Sequence, residues 1–421
     1  MRILLTNAFI DGKKQHLLIN NVTIDYIGQN PPEYDRVIDL EGLHLLPGVI
    51  DPHVHVRDMG QSYKEDWKSA SLAAIYGGVT TIFDMPNTVP PTTNLRNLNE
   101  KRKAARKSLV HYKFNVFGTK YNVVDLKEML ENNPGDIAAV KVFLAGSNDS
   151  EYVDDIDILK RIFELARLHQ LPVMVHSEWQ ACVEKHASQY PNPSIFEHHL
   201  IRNPECAAQA TEKIIELTKE IGNKLYIVHT STAEEIEFIR QNKSKAEIYC
   251  EATPHHLFLN INILEKAGNF GKVNPPIREE KHRKGVYEGM FNGIVDTIGT
   301  DHAPHTLDEK TRPYPQTPSG FPGLETSLPL LLNEVVEGRL DLKKVKELTA
   351  TNAARIFGLK NRGRIKEGYM ADLVAVDLNK SWKIEPGKFK TKAKYSPFDG
   401  MEGKGSPVIT FVKGKPYYLK T

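Results

Sequence analysis

The chain has 421 residues and 40% hydrophobic content, too long for one small domain and ample for a large core. Its 55 basic and 53 acidic residues leave a net charge of +2, which provides neither a nucleic-acid-binding surface nor a cationic membrane face. No apolar run approaches the roughly 20 residues of a membrane span, and "MRILLTNAFIDG" lacks the features of a secretory leader, so a cytoplasmic protein is expected.

The first stretch alternates apolar and polar residues, with Asp11-Gly12 as a tight turn between two strand-like runs, and predicts a small antiparallel sheet. From residue 48 the rhythm changes. Short apolar runs follow one another: "GVIDPHVHV", "VTTIFDM", "YKFNVFG", "AAVKVFLA", "LPVMVHS", "KLYIVHT", "AEIYCEA" and "VDTIGTD". Helical patterns such as "DIDILKRIFELARLH" and "ECAAQATEKIIELTKEI" lie between most of them. Strands alternating with helices in this way predict an α/β fold, a (β/α)8 TIM barrel over residues 48–361. A doubly wound sheet competes, but it needs a phosphate loop, and no GxGxxG or Walker sequence follows any run. After "TNAARIFGL" strand patterns return in "GRIKEGYMADLVAVDLN" and "VITFVKGKPYYL". An independent C-terminal unit would leave sheet edges open. Residues 1–47 and 362–421 are therefore expected to share one small β-sandwich domain beside the barrel. Cys182, Cys206 and Cys250, odd in number and widely spaced, read as reduced thiols and not as a disulfide framework or zinc knuckle.

In a strand, alternate residues share a face, so His53 and His55 point the same way, together with Asp51 and, if the strand continues, Arg57. Alone, the pair is half a metal site or a structural pair in a loop. In a barrel the C-terminal ends of the strands build the active site. His53 and His55 close the first strand, Lys141 lies in the fourth, His176 closes the fifth, His229 the sixth and Asp301 the eighth. Each histidine by itself is more often a satisfied structural residue than a ligand. Lys141, inside the apolar run "AVKVFLA", is the anomaly, because a buried ammonium is costly and does not ligate metal. As a carbamate formed with CO2 it becomes a two-oxygen anion. Four histidines, that carbamate and an aspartate suffice for two Zn2+ about 3.5–4 Å apart.

"DPHVHVRD", "FDMPNT", "VKVFLAG", "MVHSE", "IVHTST", "CEATPHHL", "KVNPPIR", "GTDHAPHT" and "GFPGLET" follow in order through the barrel. Together they resemble the amidohydrolase superfamily and, within it, the dihydroorotases. "GRIKEGYMADLVAVD" resembles that superfamily's closing β segment, so the resemblance spans nearly the whole chain. It implies His53, His55, carbamylated Lys141, His176, His229 and Asp301 as ligands of two Zn2+, bridged by the carbamate and a hydroxide. It also implies the reversible cyclisation of N-carbamoyl-L-aspartate to L-dihydroorotate in pyrimidine synthesis, with Asp301 as base and then acid. Some bacterial dihydroorotases carry aspartate in place of the lysine, whereas hydantoinases and allantoinases share it. Hydantoins, dihydropyrimidines and allantoin are thus the alternative substrates. A metal-free structural homologue is a third reading, disfavoured by the intact ligand set.

Those alternative substrates lack the ring carboxylate of dihydroorotate. Arg57, whose planar guanidinium suits a carboxylate, is therefore the discriminating residue, against the plainer reading of a rim salt bridge. Asn87, Asn274 and His305 match the family's other substrate contacts, and backbone near Ser319 and Gly320 is expected to touch the ring. His198, His199, His255 and His256 read as structural. The polar, Pro-rich segment "TLDEKTRPYPQTP" is a mobile lid or an ordinary surface loop. A small-molecule substrate is the partner expected, without nucleic acid or membrane. The sequence is compatible with a homodimer without fixing it.

Overall fold

Hydrogen bonding in the computed structural model, which describes residues 1–147 and 151–419, sorts the strands into two eight-stranded sheets. The N-terminal strands are β1 (Arg2–Ile10), β2 (Lys13–Asn20), β3 (Thr23–Gly28), β4 (Arg36–Asp39) and β5 (His44–Pro47). The central strands are β6 (Val49–Val54), β7 (Val79–Asp84), β8 (His111–Phe117), β9 (Ile137–Phe143), β10 (Val173–His176), β11 (Leu225–Ile227), β12 (Ile248–Ala252) and β13 (Thr297–Ile298). β14 (Leu373–Lys383), β15 (Glu402–Val412) and β16 (Lys415–Tyr418) follow.

The first sheet has the order β16-β15-β14-β5-β1-β2-β3, with β4 also on β1. Asp11 and Gly12 both have positive φ, 49° and 78°, as a two-residue hairpin turn requires. The C-terminal strands join the N-terminal ones through β14 and β5, antiparallel with Leu373 opposite Pro47. Leu5, Leu17, Ile19, Leu45, Leu373 and Phe411 from both ends of the chain share its core. The expected purely antiparallel sheet needs correction, because β4 and β5 run parallel to β1. Alternation specifies which face of a strand is buried, not the direction of its neighbour.

Strands β6 to β13 are parallel and ordered as in the chain. A bridge from Val54 to His302 and the His55 N–H to His302 carbonyl bond (2.8 Å) join the first strand to the segment after the last. Side chains such as Val140, Val142, Val173 and Val175 pack outward under the helices in the main core. Lys141 and Phe143 alternate with the first two and face inward.

Two expectations change. β11 and β13 are short, so His229 and Asp301 lie beyond the last paired residues instead of closing the strands. Cys182 and Cys206, expected as free thiols, form a disulfide between two neighbouring helices, a proximity hidden by their sequence separation of 24. Cys250 is free and buried, and burial pushes its thiol up to about 12. No helix among the described residues is long and apolar enough to cross a membrane.

Candidate active site

The strand ends present His53 and His55 to Asp301. Asp301 Oδ1 lies 3.2 Å from His53 Nε2 and 3.0 Å from His55 Nε2. Ligating atoms of all three fall within 4.8 Å of one another. The far nitrogens of both rings are occupied: His53 Nδ1 donates to Glu251 Oε1 (2.7 Å) and His55 Nδ1 to Asn87 Oδ1 (2.9 Å). Such outer bonds select the tautomer, so Nε2 of neutral His55 is a lone-pair donor toward the barrel axis and Nε2 of His53 becomes one on losing its proton.

A second pair sits alongside. His176 Nδ1 and His229 Nε2 are 3.0 Å apart. His176 Nε2 donates to Glu178 Oε2 (2.8 Å), which Arg202 holds through Nε and Nη2 at 2.8 and 2.6 Å. The rings of His53 and His229 have centroids 5.2 Å apart, so the two groups adjoin. Lys141 Nζ is wholly buried and makes no hydrogen bond among the described residues; it lies 4.9 Å from the centre of the Phe143 ring.

Burial sets the protonation states. It lowers the Lys141 ammonium to about 7 against the opposing pull of the Glu251 and Asp301 carboxylates, so a large neutral fraction exists at physiological pH. Burial likewise lowers His55 to about 3 and His176 to about 4. For His53 burial is outweighed by the carboxylates of Glu251 and Asp301, which raise it to about 9. Asp301 is held well below the usual carboxylate range, with burial opposed by the charge and hydrogen bond of His53 and by His55. Neutral imidazoles around an anionic carboxylate form a donor set for a cation, and the His53 proton is what a cation would displace.

His53, His55, His176, His229 and Asp301 line the floor of the barrel mouth together with Arg57, Asn87, Asn274, Ser319 and Gly320. Above it opens a cavity of about 600 Å³, whose wall adds His305. Of the expected site residues only Lys141 lines neither space. Arg57 is 3% exposed, so it forms no salt bridge on the outer surface. Its Nε donates to the Pro304 carbonyl (3.3 Å), and Nη2 lies 3.2 Å from His305 Nε2. Lys64 donates to His305 Nδ1 (3.2 Å), leaving Nε2–H to donate to the Ser319 carbonyl (3.1 Å).

Sequence reasoning missed several participants. His198, read as structural, lines the cavity; its Nε2 is 2.9 Å from Asn274 Oδ1 and 3.1 Å from the Val273 carbonyl, and burial lowers it to about 3. Lys272 pins the Pro-rich segment through the carbonyls of Pro315 (2.9 Å) and Thr317 (2.6 Å), and Lys310, within the segment, folds it on itself by donating to the Pro318 carbonyl (2.9 Å). The segment is thus tied to Lys272, on the cavity wall, near its C-terminal end. Glu178 and Glu251 were overlooked although the signal existed: Glu251 sits in the apolar run "IYCEA", as anomalous as Lys141.

A family model described as "Amidohydrolase family" matches residues 44–417. Among curated proteins, the dihydroorotase of Methanothermobacter thermautotrophicus is 37% identical over 90% of this chain and 85% of its own. That of Halobacterium salinarum is 35% identical, with coverages of 98% and 96%, and that of Methanosphaera stadtmanae 34%, with 96% and 93%. Among solved structures, L-hydantoinase (dihydropyrimidinase) from Arthrobacter aurescens superposes with a TM-score of 0.94 at 29% identity, covering 99% of this chain and 97% of that one. Dihydropyrimidinase from Brevibacillus agri gives 0.91 at 27% identity, covering 99% and 95%.

Proposed function

The chain belongs to the amidohydrolase family, and from that premise we infer that it is a dihydroorotase, interconverting N-carbamoyl-L-aspartate and L-dihydroorotate. The observation that carries the substrate is Arg57, a buried guanidinium on the wall of a cavity whose floor is the histidine–aspartate cluster. Buried positive charge facing a ligand cavity calls for an anion, and the ring carboxylate of dihydroorotate supplies one.

The residues fit a pair of divalent metal ions, which we take to be Zn2+. His53, His55 and Asp301 would hold one and His176 and His229 the other. Lys141 would lie between them as a carbamate, made when its neutral amine adds to CO2 and releases a proton. The buried Lys141 Nζ, with no hydrogen-bond partner among the described residues, supports this assignment, since in this setting an ammonium would be left without a hydrogen bond. Metal ions held there lower the pKa of water and polarise an amide carbonyl.

The chain's own groups do the rest. Arg57, with Asn87 and Asn274, orients the substrate, and the His305 imidazole is held against Ser319 so that it faces the same cavity. The Asp301 carboxylate accepts the proton of the attacking water and returns it to the leaving ring nitrogen, acting as base and then acid. Backbone at Ser319 and Gly320 borders the floor where the ring would rest. In the synthetic direction the same proton path closes the ring, a step of pyrimidine synthesis that we place in the cytoplasm.

A hydantoinase or dihydropyrimidinase activity is the second reading, favoured by the solved structures of the same fold. The deciding experiment assays the purified protein on dihydroorotate, dihydrouracil, hydantoin and allantoin side by side. Preference for dihydroorotate is expected; preference for a substrate without the carboxylate would refute the reading.

A further inference from the structure

Two helices that follow β10 bring a second group of metal-ligating side chains together, apart from the barrel cluster. Cys182 and His186 are four residues apart in the helix Gln180–Ala187 and so share a face. Cys206 lies in the first turn of the helix Pro204–Ile221, with Glu205 next to it. Both sulfurs and a ring nitrogen of His186 lie within 4.8 Å of one another. His186 Nε2 is 3.4 Å from Glu205 Oε2, so an exposed carboxylate, outside that group of three, lies beside the ring within reach of a side-chain rotation. Cys206 is fully buried and Cys182 nearly so, whereas His186 is partly open to solvent, giving an ion a way in.

We propose that Cys182, Cys206 and His186, with Glu205 as fourth ligand, form a Zn2+ site that is available when the Cys182–Cys206 disulfide is reduced. Two thiolates, one imidazole and one carboxylate make an ordinary tetrahedral zinc donor set. A low-molecular-weight dithiol supplies two electrons and two protons: it closes to its own disulfide, and Cys182 and Cys206 become thiols. Zn2+ binding then releases both thiol protons to solvent. Disulfide and metal are thus alternative clasps on the same two helices. The clasp matters to the mouth because residues 183–205 between the cysteines carry His198 and Arg202, which line the cavity. The Trp179 N–H donates to the Cys206 carbonyl (3.0 Å), and Arg202 holds Glu178, so the clasped segment also braces His176. The reduced, metal-free protein is the loosened state. The proposal does not depend on which cyclic amide the barrel hydrolyses.

The test uses protein loaded with zinc while oxidised, then reduced anaerobically, desalted and titrated with Co2+. Thiolate ligation gives Co2+ a strong near-ultraviolet charge-transfer absorption that the nitrogen and oxygen ligands of the barrel do not produce. Cys250 does not compete, being buried with its Sγ donating to the Ile294 carbonyl. The expected result is that band at one Co2+ per reduced chain, absent from the oxidised protein and from the Cys182→Ser/Cys206→Ser double variant. His186→Ala, at a partly exposed position that leaves the disulfide intact, should weaken Co2+ binding by about tenfold or more. Proteolysis within residues 183–205 should be several-fold faster in the reduced metal-free protein and return to the oxidised rate with Zn2+. No charge-transfer band in reduced protein with both thiols titratable would overturn the site. An unchanged Co2+ affinity in His186→Ala would overturn it equally, and both measurements stand even if the double variant does not fold.

Discussion

Replacing Arg57 by methionine removes a buried guanidinium while keeping most of its aliphatic volume. Arg57 is 3% exposed, and its hydrogen bond to the protein, Nε to the Pro304 carbonyl at 3.3 Å, uses one of the group's five donors. A bidentate grip on the substrate carboxylate would add two charge-assisted bonds, each contributing about 1.5–3 kcal/mol. The cavity above holds about 600 Å³, so water can solvate part of the abandoned carboxylate, which argues for the lower end. A loss of about 3 kcal/mol corresponds to a fall of roughly 150-fold in kcat/KM on dihydroorotate. The assay is initial-rate hydrolysis of dihydroorotate, run beside metal analysis and a thermal melt. Turnover of dihydrouracil, which has no carboxylate, should not fall with it. If kcat/KM on dihydroorotate were unchanged at wild-type metal content, Arg57 would not be the carboxylate's partner, and the main ground for choosing dihydroorotate over a hydantoin would be gone.

Asp301→Asn should fold normally by circular dichroism yet lower kcat by about 100-fold or more, the scale for losing a general base; normal turnover would move the proton to another group. Lys141→Ala should lose most bound metal and activity and regain part of both when a short carboxylic acid is added to the buffer. Full metal and activity without the acid would remove Lys141 from the site. Burial lifts Glu325 from 4.5 to about 7 in the folded protein, although it accepts backbone N–H groups of Lys390 and Thr391. The native state then holds the proton more tightly than the unfolded chain, so this contribution is complete below about pH 4.5 and is lost as pH rises through about 7. Glu325→Gln should flatten the unfolding free energy over that window by up to about 3 kcal/mol, and an unaltered slope in denaturant titrations would contradict it.

The barrel was legible because its strands are buried on both sides and read as continuous apolar runs, and because the polar exceptions fall at their ends. His53, His55 and Lys141 were each visible as a residue type out of place. The direction of β4 and β5 was not, since pairing direction leaves no mark in an alternating pattern. The disulfide was hidden for a related reason: Cys182 and Cys206 meet only because two helices pack, and local periodicity does not record which helices do so. His198 looked structural because it belongs to no strand. It reaches the cavity from the connection after β10 and is placed there by its contacts with Asn274 and Val273.

What sequence patterning conceals most is how the ligands are aimed. Arg57, His229 and Asp301 all have left-handed backbones, with φ of 64°, 38° and 46°. That conformation costs a non-glycine residue about 1–3 kcal/mol and persists only where its surroundings impose it. Buried acids impose it here. Asp51 accepts from the His53 and Thr300 N–H groups (3.1 Å each) and from the Thr300 hydroxyl (2.6 Å), lacing the first barrel strand to the turn that carries Asp301. Glu251 takes the His229 N–H (3.1 Å), the Tyr226 hydroxyl (3.0 Å) and His53 Nδ1, so one carboxylate sets two histidines from different strands. Asp84 accepts the Val56 N–H (2.9 Å) next to Arg57 and is itself paired with buried Lys101 at 2.8 Å. Each acid ties its own strand end to at least one other, and Asp51 and Glu251 reach across the barrel closure to residues 249 and 198 positions away, so the ligand geometry depends on neighbours far apart in sequence. The histidines could be found from their spacing; the carboxylates that aim them acquire that role only when the barrel closes.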